Sequence, residues 1–481
     1  MKPVRQLCVL AAALALCAGA DAAGNYKDWI GYSALRAELG EALPTGRGVR
    51  VTQVEVLFGE DGQQGWAPDG SLPAFERVKL LLPGFPSGHA NSVARHFYGS
   101  SSMAPGVAEV ECYPNTLWAY EPVGVLRAGS RLPPAVSRSA VANHSWNAKG
   151  GHEPNRDVLE RVDFLVAVDD FIQVGGANNQ PQVPDVLQCS YNAIVVGRSS
   201  GHHSRGTNDL GQSVYVEGRS KPDIVAPARH TSTSSPMVAS AAAMLVGFAR
   251  GAGSEISAGH YTGPRTGRRI YHAESSEVIK AALMAGADRS TSDPPRRLGR
   301  LRHYREERQW QTDNGLDARY GAGQLNVRNS YHILAGGEHD SAQDAGGGAG
   351  GGVPAAGFDY DPAFGGLAGS NRLGTYVLTA PEGDPRLKAC LAWNLRVESG
   401  DEEWSGEATL YDLDLKLYDV AWSGERPVAR SVSSLDNTEN IWHHLVPGRR
   451  YELRVVAARK QAPFLWDYGL AWQIEDAPGG P

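Results

Sequence analysis

The stretch HTSTSSPMVASAAAML at residues 230–245 restricts the possible folds more than any other part of the chain. Its continuation, PMVASAAAMLVGFAR from Pro236 to Arg250, is rich in Ala and Leu, with Pro at the first turn and Ser235 as the expected cap. Side chains this small let a helix pack tightly against a sheet. Ser232 lies just ahead of that helix. A nucleophile at a helix N-terminus gains from the positive end of the dipole, and free backbone N–H groups there can hold a developing oxyanion. Taken alone, a Ser/Thr run before a helix is an ordinary cap.

The rest of the N-terminal region supplies the sheet. Val49 to Val54 is a β-branched run opened by Gly46 and Gly48, and Phe164 to Val168 and Ala193 to Val196 are short apolar runs suited to buried parallel strands. Ser276 to Ala287 reads as a second capped helix. Strands alternating with helices predict an α/β fold with a covered parallel sheet. Residues 336–357 form a Gly/Ala-rich stretch expected to act as a flexible linker. Beyond it, Thr375–Leu378, Leu413–Val420, Tyr451–Val456 and Tyr468–Ile474 predict an all-β, jelly-roll-like sandwich. With 481 residues, two domains are expected, at 24–335 and 358–481.

The first residues set the compartment. Lys2 and Arg5 precede an apolar run from Leu7 to Ala20 and a small-residue Ala-Asp-Ala-Ala ending. This predicts a signal peptide over 1–23 and a secreted or periplasmic protein. Cys17 follows Leu-Ala-Leu, without the small residue a lipid-anchoring site wants just before its Cys. No later segment is expected to be long and apolar enough to insert stably in a membrane. A net charge of −7 gives no reason to invoke nucleic acid. Of five cysteines, Cys112, Cys189 and Cys390 remain after leader removal, an odd number that leaves at least one thiol outside any internal disulfide. A Cys112–Cys189 pair is open on sequence alone.

Two further segments carry chemistry. SGHANSVARHFYG at 87–99 puts His89 at the start of a helical stretch, and GRGVRVTQVE at 46–55 ends a strand on Glu55. Carboxyl ends of parallel strands are where open α/β sheets build sites. The order acid, His, Ser is that of subtilisin. Residues 46 to about 335 resemble a subtilase catalytic domain. GRGVRVTQVE is similar to the family's G-x-G-V-x-V-A-V-x-D, HANSVAR to H-G-T-H-V-A-G, and HTSTSSPMVA to G-T-S-M-A-S-P-H-V-A. KPDIVAP at 221–227 and GAGQLNV at 321–327 also resemble the family. NHSWN at 143–147 is similar to its Ser-Leu-Gly strand, and VGGANN at 174–179 to the strand ending in the oxyanion Asn, here Asn178 or, in the other register, Asn179.

The resemblance implies a serine endopeptidase acting on a polypeptide. Ser232 would attack, His89 would shuttle the proton, Glu55 would orient His89, and Asn178 would donate to the oxyanion. No cofactor is required for this chemistry, whereas structural calcium is possible in the family. The departures are specific. Glu55 replaces Asp and adds roughly 1.5 Å of reach. His230 replaces Gly and is expected to crowd the turn, and Ser92 replaces the family's second His. Trp146 is expected to narrow the cleft. The segment from Ala226-Pro227-Ala228 to Ser232 is short, which is expected to alter the cleft further. Few residues lie between the leader and Gly46, so a folding propeptide is not expected. An alternative reading is a catalytically inactive subtilase scaffold that serves as a binding protein, and a third is an esterase or amidase on the same site.

Other candidates carry less. The His202-His203 and His443-His444 pairs point to opposite faces if in strands and make poor metal sites. Arg296–Arg308 reads as a solvated insertion. The C-terminal segments LAWN (391–394), YDLDLKLYDV (411–420), SLDNTENIW (434–442), LVPGRRYELRV (445–455) and DYGLAW (467–472) resemble the sandwich appended to many subtilases, related to the convertase P-domain. There, Asp412, Asp414, Asp436 and Asn437 are expected to form turns rather than bind calcium. Oligomeric state is not legible.

Overall fold

The computed structural model describes residues 26–476, except 61–62, 83, 121–123, 147, 149–151, 182–183, 212–213, 293–297, 345–351 and 423–425. The expected leader with Cys17, the start of the Arg296–Arg308 stretch and the middle of the Gly-rich stretch lie outside the described residues. The first half is a seven-stranded sheet of β1 (Arg50–Glu55), β2 (Lys79–Leu80), β3 (Glu109–Pro114), β4 (Val141–His144), β5 (Ile172–Gly176), β6 (Ile194–Arg198) and β7 (Ile224–Ala226). The spatial order is β2-β3-β1-β4-β5-β6-β7, and every pairing is parallel. The helices that position the site and the seam are α1 (Gly88–Phe97), α2 (His152–Asp169), α3 (Thr231–Ala252), α4 (Ser276–Gly286) and α5 (Val327–Ala335).

Helix α3 is the buried axis of this half. Ala241, Ala242, Ala243, Met244 and Leu245 have no exposed surface, because small side chains bring the helix close to its neighbours. Gly46, at φ +72°, lies against Gly247, where an added Cβ would stand 2.9 Å from the Gly46 Cα. Contrary to expectation, one later helix, Thr231–Glu255, is apolar enough to meet the composition of a membrane span, but it is largely buried inside the protein. Phe164 to Val168, expected as a strand, forms the end of α2. Val158, Leu159, Val162, Leu165 and Val166 are buried at helical spacing, and the strand comes next, at Ile172.

The second half is a sandwich. One sheet holds β8 (Ala356–Phe364), β15 (Trp466–Asp476), β10 (Pro385–Ala392) and β13 (Thr438–His444); the other holds β9 (Leu373–Thr379), β14 (Arg450–Ala457), β11 (Leu413–Asp419) and β12 (Ala429–Ser431). Both are antiparallel, and the layers enclose Tyr376, Trp393, Leu415, Leu453 and Trp472. A helix-covered parallel sheet followed by an antiparallel sandwich is the architecture the sequence led one to expect.

The two halves share a core. Helix α4 is buried along its whole length, and its apolar residues from Val278 to Ala285 cluster with Phe358, Tyr360, Cys390, Ala392 and Ala471 of the sandwich. Polar groups stitch the seam. Asn192 exchanges side-chain bonds with the Leu395 backbone at 2.7 and 3.1 Å, and the Ser220 N–H donates to Asp436 at 2.8 Å. Asn437 donates to Asn192 at 3.2 Å, so Asp436 and Asn437 are engaged in the seam. Around the linker the chain is packed: Ser341 is fully buried, and Ala342 donates to Thr375. The Arg296–Arg308 stretch is likewise anchored, with Leu301 and Tyr304 buried and Tyr304 edge-on to Trp442. Cys112, Cys189 and Cys390 are buried free thiols, so the open Cys112–Cys189 pair is not formed.

Three carboxyl groups meet at the seam. Asp170 accepts from Ser276 N at 3.0 Å and Tyr261 at 2.9 Å; Glu277 accepts from Asn394; Asp467 accepts from Tyr360 at 2.7 Å. Burial raises the pKa of all three, and repulsion within the trio adds to this for Glu277 and Asp170. The folded state therefore keeps protons that the unfolded chain has released. This stabilisation is complete below about pH 4 and is lost as the pH rises towards neutrality. Asp467 Oδ1 is buried without a hydrogen-bond partner. Asp467→Asn is expected to raise the melting temperature above wild type at pH 8 and to leave it nearly unchanged at pH 4, as read by thermal unfolding at both pH values.

Candidate active site

Strand β1 ends on Glu55 at the carboxyl edge of the sheet, and the carboxyl group is fully buried. Helix α1 begins beside it. The Ser87 hydroxyl caps the helix by accepting from Ala90 N at 3.1 Å, which places His89 in the first turn. Glu55 Oε2 meets His89 Nδ1 at 2.7 Å. Burial pushes the His89 pKa down, but the charge and hydrogen bond of Glu55 outweigh it, and the net shift is upward.

Ser232 is the second residue of α3, and His230 is the N-cap. The helix starts earlier than expected: Pro236 lies inside it rather than in its first turn, and Ser235 is not the cap. Proline has no N–H to offer the carbonyl four residues back, which is that of Ser232. The Ser145 hydroxyl donates to that carbonyl instead, at 3.2 Å. One turn on, Ser235 donates to Asn143 at 2.6 Å, and Asn143 is the register partner of Gln53 on β1. The start of α3 is thus tied to β4, the neighbour of the strand that carries Glu55. His230 also lies within electrostatic reach of His89, whose charge, after burial and two arginines, helps lower the His230 pKa.

The loop after β5 carries the two asparagines. Asn178 accepts from Gln180 N at 2.9 Å through Oδ1, which orients its amide. Asn179 accepts from Thr231 N at 3.0 Å, pinning the loop to the residue before Ser232.

Two departures look different in three dimensions. His230 has φ −132° and ψ 147°, extended backbone that any residue adopts, so the backbone there does not require glycine. Trp146 is buried in an apolar cluster, where its indole N–H donates to His144 Nδ1 at 3.1 Å. His144 in turn meets Gln173 Oε1 through Nε2 at 2.8 Å, and burial lowers its pKa to about 4.

Sequence reading missed Gln53 and Tyr98. Gln53 is fully buried, donates to Glu55 Oε1 at 2.8 Å and to Ala90 O at 3.1 Å, and accepts from the Tyr98 hydroxyl. The available signal was an amide on the same strand face as Glu55, two residues earlier, in a run of Val and Thr.

His203 is a core residue: it is fully buried, and its Nδ1 accepts from Arg198 N at 3.0 Å. Among the described residues, Glu338, Asp340 and Asp359 bring carboxylate oxygens within 4.8 Å of one another. Three of their six oxygens accept hydrogen bonds. Glu338 holds His272 at 2.7 Å and Ala258 N at 2.5 Å, and Asp359 accepts from Tyr376. Calcium takes six to eight oxygen ligands, so these three side chains alone would not complete its shell.

No protein-family model and no curated protein matches the chain. Solved structures show faint likeness. The prenylagaramide maturation protease PagA is 16% identical with a TM-score of 0.37, over 60% of this chain and 94% of that one. A protease from Pseudoalteromonas arctica is 12% identical with a TM-score of 0.37, over 64% and 96%. The PatG macrocyclase is 12% identical with a TM-score of 0.36, over 62% and 95%. Agreement at this level says nothing about chemistry.

Proposed function

We propose that the chain is an exported serine endopeptidase of subtilisin type in which Glu55 replaces the usual Asp. The observation that carries this reading is the 2.7 Å contact between Glu55 and His89 at the carboxyl edge of the sheet. The start of α3, with Ser232, is tied to β4, the next strand in the sheet. In the proposed reaction, Ser232 Oγ attacks a peptide carbonyl and gives its proton to His89 Nε2. Glu55 holds Nδ1–H and stabilises the imidazolium. The Asn178 amide and the Ser232 backbone N–H receive the oxyanion at the positive end of α3. His89 then protonates the leaving amine, and water repeats the sequence on the acyl-enzyme. Residues 24–335 would form the catalytic unit, with the sandwich as its support.

His89 must be neutral to act as base. Its raised pKa places the acid limb of kcat/KM above the ordinary histidine value of about 6.5. The deciding experiment is fluorophosphonate labelling of the mature chain. Labelling is expected in wild type, absent in Ser232→Ala and nearly absent in His89→Ala. A folded wild type that does not label would remove the protease reading and favour the inactive scaffold. Turnover of small activated esters without cleavage of unfolded protein would favour the esterase.

A further inference from the structure

We propose that Gln53 is a positioning residue that locks the Glu55 carboxylate onto His89, with Tyr98 setting the direction of its amide. The proposal rests on the Glu55–His89 pairing described above. A Glu side chain has one more torsion than Asp, and that last torsion is broad. A single contact to His89 leaves the carboxylate plane free to turn, and a second partner on the other oxygen fixes it. Gln53 Nε2 supplies that partner at 2.8 Å on Oε1, while Oε2 faces His89 at 2.7 Å.

The amide is fully used. Its two N–H groups go to Glu55 and to Ala90 O, at 3.1 Å, and its oxygen accepts from the Tyr98 hydroxyl. Turning the amide over would set its oxygen against a carboxylate and a carbonyl and its NH₂ against a phenol that donates. The partners therefore fix the orientation. Ala90 follows His89 in the first turn of α1, so one side chain holds the acid, its strand and the helix of the base in register. Tyr98 is itself buried against Cys112, and burial keeps both protonated, the Cys112 thiol being pushed up to about 12. The phenol thus remains a donor across the working pH range. Gln53 has no exposed surface. It therefore acts through Glu55 and does not touch substrate.

The test uses the full-length mature chain with ¹⁵N-labelled histidine in a Ser232→Ala background. Wild-type Gln53 is expected to give a downfield, slowly exchanging His89 Nδ1 proton, assigned by its loss in Glu55→Ala. Gln53→Met is expected to broaden that resonance away, and Tyr98→Phe, which removes one hydroxyl, to weaken it. With Ser232 restored, Gln53→Met is expected to slow fluorophosphonate labelling by about 10- to 100-fold. In a Glu55→Ala background the same change is expected to add less than about twofold. An unaltered resonance in a folded Gln53→Met chain, or a full additive loss without Glu55, would overturn the proposal. Should Gln53→Met fail to fold, Tyr98→Phe carries the same two readouts. If wild type does not label, the Ser232 reading fails, while the His89 resonance still decides the role of Gln53.

Discussion

Glu55→Ala is expected to slow fluorophosphonate labelling of Ser232 by on the order of 10⁴-fold while leaving the chain folded. Glu55 is the charged group in contact with His89 Nδ1, at 2.7 Å, and in the proposed reaction that contact favours the tautomer whose Nε2 takes the Ser232 proton. In the proposed reaction the imidazolium formed on attack also loses its counter-charge, in a setting where His89 is only 11% exposed at the side chain. Glu55→Gln tests the charge separately from the contact: it can keep the geometry, but its amide can present an N–H to the nitrogen that must donate, so a large loss is expected there too. Glu55→Asp is the sharper variant. It shortens the side chain by roughly 1.5 Å, and β1 and Gln53 are placed for the longer one. Asp is therefore expected to be slower than wild type. Labelling at wild-type rate in Glu55→Ala would show that His89 is oriented by something else.

The parts of this arrangement legible in the chain were those fixed by local chemistry. A β-branched strand ending on an acid, a Ser-capped helix opening on His89 and a small-residue helix behind Ser232 each carry their own signal over ten residues or so. What the chain concealed depends on groups meeting across space. Gln53 makes sense only once Ala90 and Tyr98 stand beside it. The start of α3 was misplaced because Pro236 marks a first turn only when nothing else satisfies the carbonyl of Ser232, and Ser145, from β4's far end, does. Phe164 to Val168 was ambiguous because five apolar residues fit a buried strand as well as one buried side of a helix. Asp436 and Asn437 read as turn residues, and their use across the seam could not be seen from their neighbours.

The seam carries the second large effect. Gly469→Val is expected to destabilise the whole chain by about 1–3 kcal/mol or more, with both halves melting together. Gly469 sits in β15 opposite Tyr360 and Ala392, directly beneath α4. A Cβ there would stand 2.7 Å from the Glu277 carbonyl carbon and from Val278 N. These are backbone atoms of a helix that is buried along its whole length, so no flexible side chain can yield. Relief requires α4 to lift from the sandwich, and α4 belongs to the same core as α3 and the parallel sheet. Strain at Gly469 therefore reaches the helix that presents Ser232. The check is thermal unfolding followed by near-ultraviolet circular dichroism and by the rate of Ser232 labelling during heating. A single transition shifted downward in both signals supports a shared core. Loss of the sandwich signal with labelling intact would mean that the N-terminal half stands without its partner.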